Sequence, residues 1–102
     1  MSYEVSTETR FLEELERQLA WSEEKGYDRW VAETRSAIRE LVTELAERPT
    51  RYQRIYLDEA TGTSYHRAII KSYHAFYSLS ESEKRVIVLD MVHERSSRRP
   101  TF

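Results

Sequence analysis

The chain of 102 residues contains no cysteine, only two glycines and only two prolines. Without cysteine there is no disulfide framework and no thiolate-held metal site. No apolar run approaches the roughly 20 residues a membrane-spanning helix requires. The N-terminus also lacks the charged-then-apolar pattern of a signal segment. A soluble cytoplasmic protein with no membrane partner is therefore expected. Excess charge of one sign is also lacking: the formal net charge is −2, which as a bulk value does not point to a polyanionic partner.

What is present is a modest apolar fraction, 39%, with 12% aromatic residues, seven of them tyrosine. Aromatics bury large areas, so the composition belongs to a folded chain with one small core rather than to a disordered one. The charge is divided unevenly. Residues 1–50 hold seven Lys/Arg against twelve Asp/Glu, a balance of −5. Residues 51–102 hold nine against six, a balance of +3. Any anionic partner is expected to meet the second half.

Tyr3 and Val5 alternate with polar residues as a short strand would. Ser6 or Thr7 is placed to cap a helix whose stripe is Phe11, Leu12, Leu15 and Leu19. Gly26 is a stop, because glycine enters the left-handed region without strain. Asp28 can cap a second helix with Trp30, Thr34, Ile38, Leu41 and Leu45 on one side, closed by Pro49. Two helices joined by a short turn form a hairpin.

Beyond Pro49 the period changes from helix to strand. Arg54–Leu57 reads as a short strand, followed by a polar loop from Asp58 to Thr63. Tyr65–Ile70, Tyr73–Leu79 and Arg85–Val92 read as three strands, the last rich in β-branched side chains. The short links Lys71-Ser72 and Ser80–Lys84 make these strands antiparallel neighbours. The expected fold is α+β: a two-helix hairpin packed on a three- to four-stranded antiparallel sheet. One domain is expected over residues 1–95, with a mobile basic tail over 96–102 in which Arg98 and Arg99 are solvated.

Within this order, several segments resemble the RelE/ParE toxin superfamily. Leu45-Ala46-Glu47-Arg48-Pro49 is similar to the leucine-then-proline close of that family's hairpin. His66-Arg67-Ala68-Ile69-Ile70 resembles its strand that opens on a basic residue. Tyr73-His74-Ala75-Phe76-Tyr77 resembles its tyrosine-rich strand. The run Val86 to Arg95, closing on His93-Glu94-Arg95, resembles its final strand. The resemblance implies a growth-arresting toxin with a cognate antitoxin as partner. It also implies one of two targets, DNA gyrase or ribosome-bound messenger RNA. The long helical hairpin resembles the gyrase-directed branch, whereas the ribosome-dependent branch is strongly basic and carries a lysine cluster before the basic strand, where this chain has Asp58 and Glu59; this sets the expectation slightly towards gyrase. The alternative is a ribosome-dependent messenger RNA endoribonuclease, or a diverged member that no longer intoxicates.

Cleaving RNA needs proton transfer at the 2′-hydroxyl and at the leaving oxygen, and cations for the developing phosphorane charge. His93, Arg67 and Arg95 are the candidates for that chemistry, since imidazole titrates near neutrality and guanidinium can hold two phosphate oxygens. Lys71, Tyr73 and Tyr77 are the candidate binding residues. Each also has a plainer reading. Arg67 can be a salt-bridge partner, Tyr73, Phe76 and Tyr77 can be core or rim aromatics, and His66 and His74 surface positions on their strands. Arg67 and His93 act together only if the register brings them to one face. No cofactor and no metal site are expected, because no His pair stands beside a carboxylate in ligand spacing.

Overall fold

The structure, a computed structural model, describes residues 2–100. In chain order it forms β1 (Glu4–Thr7), α1 (Thr9–Glu24), α2 (Asp28–Glu47), β2 (Gln53–Asp58), β3 (Thr63–Ile70), β4 (Tyr73–Ser80) and β5 (Arg85–His93). The five strands make one sheet in the order β1-β5-β4-β3-β2. This is the expected α+β arrangement with a larger sheet than the three or four strands read from sequence. The added strand is β1, which pairs parallel to β5 from Glu4↔Arg85 to Thr7↔Val88. Parallel neighbours need a crossover, and the hairpin of α1 and α2 provides it, leading from one sheet edge to the other.

The helices pack their apolar stripes on one face of the sheet. Phe11, Leu15 and Leu19 from α1 are buried with Val31, Ile38, Leu41 and Leu45 from α2. Two stripe positions differ from the sequence reading. Leu12 stays 45% exposed, and Val31 rather than Trp30 enters the core, because a helix buries the residues nearest its contact line and leaves its flanks to water. The helix starts also differ. Neither Ser6 nor Thr7 caps α1: its N-cap is Glu8, with no side-chain cap bond. Tyr27 precedes α2, and Asp28 is its first helical residue. The stops agree with expectation, with Gly26 at φ +79° and Arg48, before Pro49, outside the helical region at φ −133° and ψ 65°.

The turn between β3 and β4 places Lys71 at φ 55°, a left-handed conformation that costs a non-glycine residue about 1–2 kcal/mol. Comparing Lys71→Gly with Lys71→Ala isolates this backbone effect, since both remove the side chain. The glycine variant is expected to be more stable than the alanine variant by about 0.5–1 kcal/mol in urea denaturation. Equal midpoints would show that the turn carries no strain.

Candidate functional site

Strand register assigns every side chain of the sheet to one of two faces. His66, Ala68 and Ile70 of β3 face the helices with Tyr73, Ala75, Tyr77 and Leu79 of β4. Their neighbours Tyr65, Arg67 and Ile69 stand on the opposite, open face, opposite Ser78, Phe76 and His74 respectively. β5 changes phase along its length. Val86 and Val88 face the helices, but the register shifts beside Phe76 and Tyr77, leaving Leu89 as an extra residue. Beyond this bulge, Met91 and His93 face the helices, paired with Ala75 and Tyr73. Arg67 and His93 therefore lie on opposite faces, and the two cannot act at one phosphate.

The open face carries Arg67 amid aromatic rings. Tyr56 and Tyr65 are cross-strand neighbours with ring centroids 5.8 Å apart. His74 and Phe76 follow at 6.5 Å, edge to face. The Arg67 Nη2 donates to Gln53 Oε1 at 2.8 Å, while its Nε is buried without a hydrogen-bond partner. Tyr56 is 58% exposed and Ile69 62%, so this face presents apolar and aromatic surface around a cation. Sequence reasoning treated His74 as a surface residue of its strand. The register adds that it shares the open face with Arg67, one pair nearer the β3–β4 turn.

The other candidates lie elsewhere. Lys71, in the turn, donates to Glu33 Oε2 at 2.7 Å and stands 5.1 Å from the Trp30 ring centroid. Tyr73 and Tyr77, read as binding residues, are buried on the helix side at 4% and 0% exposure. Tyr77 gives its hydroxyl proton to the Pro49 carbonyl at 2.6 Å, so its role is to anchor the end of the hairpin on the sheet. His93 meets Tyr73 edge to face at 5.4 Å, and its Nδ1 accepts the Arg95 backbone N–H at 3.1 Å. Arg95 is exposed in a turn after β5, where strand alternation no longer applies. Among the described residues no cluster of three His, Asp or Glu forms a metal-binding group.

Two features were missed by the sequence reading. His66, expected at the surface, is buried and stacks on Tyr77 with centroids 5.0 Å apart and planes within 7°. Its Nδ1 lies 3.1 Å from the Tyr52 carbonyl, which can only accept, so Nδ1 carries the proton. Nε2 then accepts from the Ser64 hydroxyl at 2.8 Å. Burial holds this ring below the ordinary histidine range, and nearby Arg54 adds to the effect. Because the folded ring resists protonation, stability is full above the unfolded value near 6.5 and falls as pH drops through it, by at most about 1.4 kcal/mol per pH unit. Denaturation midpoints compared at about pH 7.5 and about pH 5.5 should show this loss, and His66→Gln should flatten it. An unchanged slope in that variant would assign the loss to other groups.

The second is Asp90, fully buried in the last strand. Its carboxylate accepts two bonds from the Arg98 guanidinium, both at 3.0 Å, and one from the Met91 backbone N–H at 2.8 Å. Arg10 of α1 approaches to 3.7 Å. Arg98, expected to be solvated, instead ties residues 94–100 back to the sheet. Residues 101 and 102 of the expected tail lie outside the described residues. A lone aspartate inside the apolar run Val86 to Val92 was the available signal, because a buried carboxylate requires a cation and hydrogen bonds.

A two-helix hairpin packed on one face of a five-stranded, mostly antiparallel sheet is an α+β fold of the RelE type. Among solved structures, a chain of the RelBE2 toxin–antitoxin complex from Mycobacterium tuberculosis superposes with TM-score 0.59 at 20% identity, covering 94% of this chain and 95% of the other. A chain of the archaeal RelE–RelB complex from Pyrococcus horikoshii gives 0.58 at 17% identity, with 95% and 100% covered. The E. coli toxin RelE, as a double arginine-to-alanine mutant in the free state, gives 0.54 at 18% identity, with 95% and 88% covered. Neither a protein-family model nor a curated protein matches the sequence. Two of these structures are complexes of RelE with RelB-type antitoxins and the third is the toxin RelE, so the lean towards gyrase drawn from hairpin length finds no support in them.

Proposed function

We propose that this chain is the toxin of a toxin–antitoxin pair, neutralised by a cognate antitoxin, and that it cleaves messenger RNA on the ribosome as a RelE-type endoribonuclease. The supporting observation is the open face: a guanidinium and an imidazole, Arg67 and His74, beside the exposed ring of Tyr56 and the half-buried ring of Tyr65. The carboxylates of α1 and α2 belong to helices packed on the other side of the sheet. Arg67 can hold two oxygens of a scissile phosphate and stabilise the phosphorane charge. His74 is the imidazole on that face for transferring a proton. The tyrosines offer rings on which unpaired bases stack. The likeness to RelE chains bound to RelB supports the antitoxin part of this reading.

Inducible expression in cells lacking the antitoxin is expected to arrest growth and to shorten transcripts being translated, with DNA supercoiling unaffected. Arg67→Ala should lower cleavage about 100- to 1,000-fold, the usual loss when a group stabilising transition-state charge is removed. His74→Ala should follow it. His93→Ala and Arg95→Ala report on the end of the sheet: a larger loss there than with Arg67→Ala would move the chemistry off the open face. Gyrase inhibition without transcript cleavage would overturn the reading.

A further inference from the structure

At the tip of the hairpin, away from the open face, lies a cleft of about 710 Å³ between α1, α2 and the end of the sheet. We infer that this cleft is a binding site for a single purine base of the guanine type, its ring held against Trp21, Tyr27 and Trp30 and its polar edge read by His93 and a carboxylate. The site is independent of the proposed toxin activity and holds whatever the target.

The walls come first. Trp21 and Tyr27 are 54% and 52% exposed, with centroids 6.2 Å apart and planes inclined at 55°. Exposing two large aromatics side by side at a tight turn forfeits the burial that rings of this size otherwise gain. Together with Trp30 they offer flat, polarisable surface to another ring, with Lys25 Nζ 5.7 Å from the Trp21 centroid and Lys71 Nζ 5.1 Å from that of Trp30. The volume lies in the usual range for small-molecule sites.

Polar groups then select the ring. The His93 Nδ1 is occupied by the Arg95 N–H, so the neutral imidazole carries its proton on Nε2 and is a donor. Asp28 and Glu33 also line the cleft. Lys71 and Arg29 engage Glu33, whereas the Asp28 carboxylate forms no ion pair with any described residue. A donor and a carboxylate lining one cleft match an edge with one acceptor next to N–H donors. Guanine presents that edge, O6 beside N1–H and N2–H. Adenine lacks the carbonyl, and uracil offers a single N–H on a smaller ring. With carboxylates at the rim, a phosphate is not favoured inside the cleft, so the ligand enters base first.

The protein reports on this site directly. Its two tryptophans, Trp21 and Trp30, both line the cleft. Titrating the full chain with guanosine, with excitation on the red edge of the tryptophan band, should give saturable quenching. Adenosine and uridine should bind about tenfold more weakly or worse, the cost of leaving a polar contact unmade. Tyr27→Ala and Asp28→Asn alter exposed side chains, so folding is preserved, and each should weaken guanosine about tenfold. N-acetylargininamide is the competing probe, because aromatic rings beside carboxylates also attract cations. Absence of saturation, equal responses to the three nucleosides, or indifference to either substitution would overturn the proposal. So would quenching by N-acetylargininamide where guanosine gives none.

Discussion

Arg98→Ala is expected to cost about 3 kcal/mol, although the residue stands near the C-terminus and is part-exposed. The reason lies with its partner. Asp90 is 0% exposed, and removing Arg98 deletes both of the guanidinium bonds to its carboxylate, while the Met91 N–H and Arg10 at 3.7 Å are among the contacts that stay. Weakening the compensation of a fully buried carboxylate is strongly unfavourable. Two further variants separate charge from packing. Asp90→Asn in the Arg98→Ala background removes the buried charge and should recover part of the loss. Arg98→Lys keeps the charge but not the two-pronged geometry, and should fall between. Urea denaturation of the four proteins forms the test. A change within about 0.5 kcal/mol for Arg98→Ala would mean that residues 94–100 are not held by Asp90 at all.

Phe11→Ala is expected to cost about 3–5 kcal/mol, a large share of the 5–15 kcal/mol that holds a domain folded. Phe11 is 1% exposed in the first turns of α1, within the core that β5 and the second helix share. Truncation opens a cavity where a close-packed neighbourhood relaxes only in part. The adjacent Leu12→Ala is the internal control. At 45% exposure its removal forfeits little burial and should cost under about 1 kcal/mol. The contrast tests the orientation of α1 about its own axis. Similar losses at both positions would place the helix at a different rotation.

Much of the fold was legible because its signals are local. Gly26 and Pro49 marked the ends of both helices, and the change of period after Pro49 marked the start of the sheet. The Lys71-Ser72 link predicted the β3–β4 hairpin, and Val86 to Val92 read as a strand from its branched side chains. Less legible was whatever depended on distant partners. Tyr3 and Val5 gave a weak strand signal, since a four-residue edge strand has little pattern of its own and is stabilised by β5 (Glu4↔Arg85). His66 reads like any strand histidine. It is buried because Tyr77 stacks on it and because the Tyr52 carbonyl and Ser64 meet its two nitrogens.

The candidate site shows the same division. Simple alternation from Val88 would send His93 to the open face beside Arg67. The bulge at Leu89 reverses the phase, so His93 turns to the helix side and His74 is the imidazole that shares a face with Arg67. A bulge inserts one residue into a period of two and so exchanges every later side chain between faces. Nothing in the run Val86-Ile87-Val88-Leu89-Asp90 announces it, because branched and apolar side chains there suit either face.

The sequence by itself determined the order of the elements, the limits of the hairpin, the charge division between the halves and the likeness to RelE/ParE toxins. Those properties depend on periodicity, breakers and short motifs, each readable within a few residues. Only the tertiary structure decided that Arg67 and His93 part company, that Asp90 captures Arg98, and that Trp21, Tyr27 and Trp30 line a common cleft. Those depend on register and on contacts between residues far apart in the chain, which the pairing of β3, β4 and β5 and the seating of the hairpin set only once the sheet has formed.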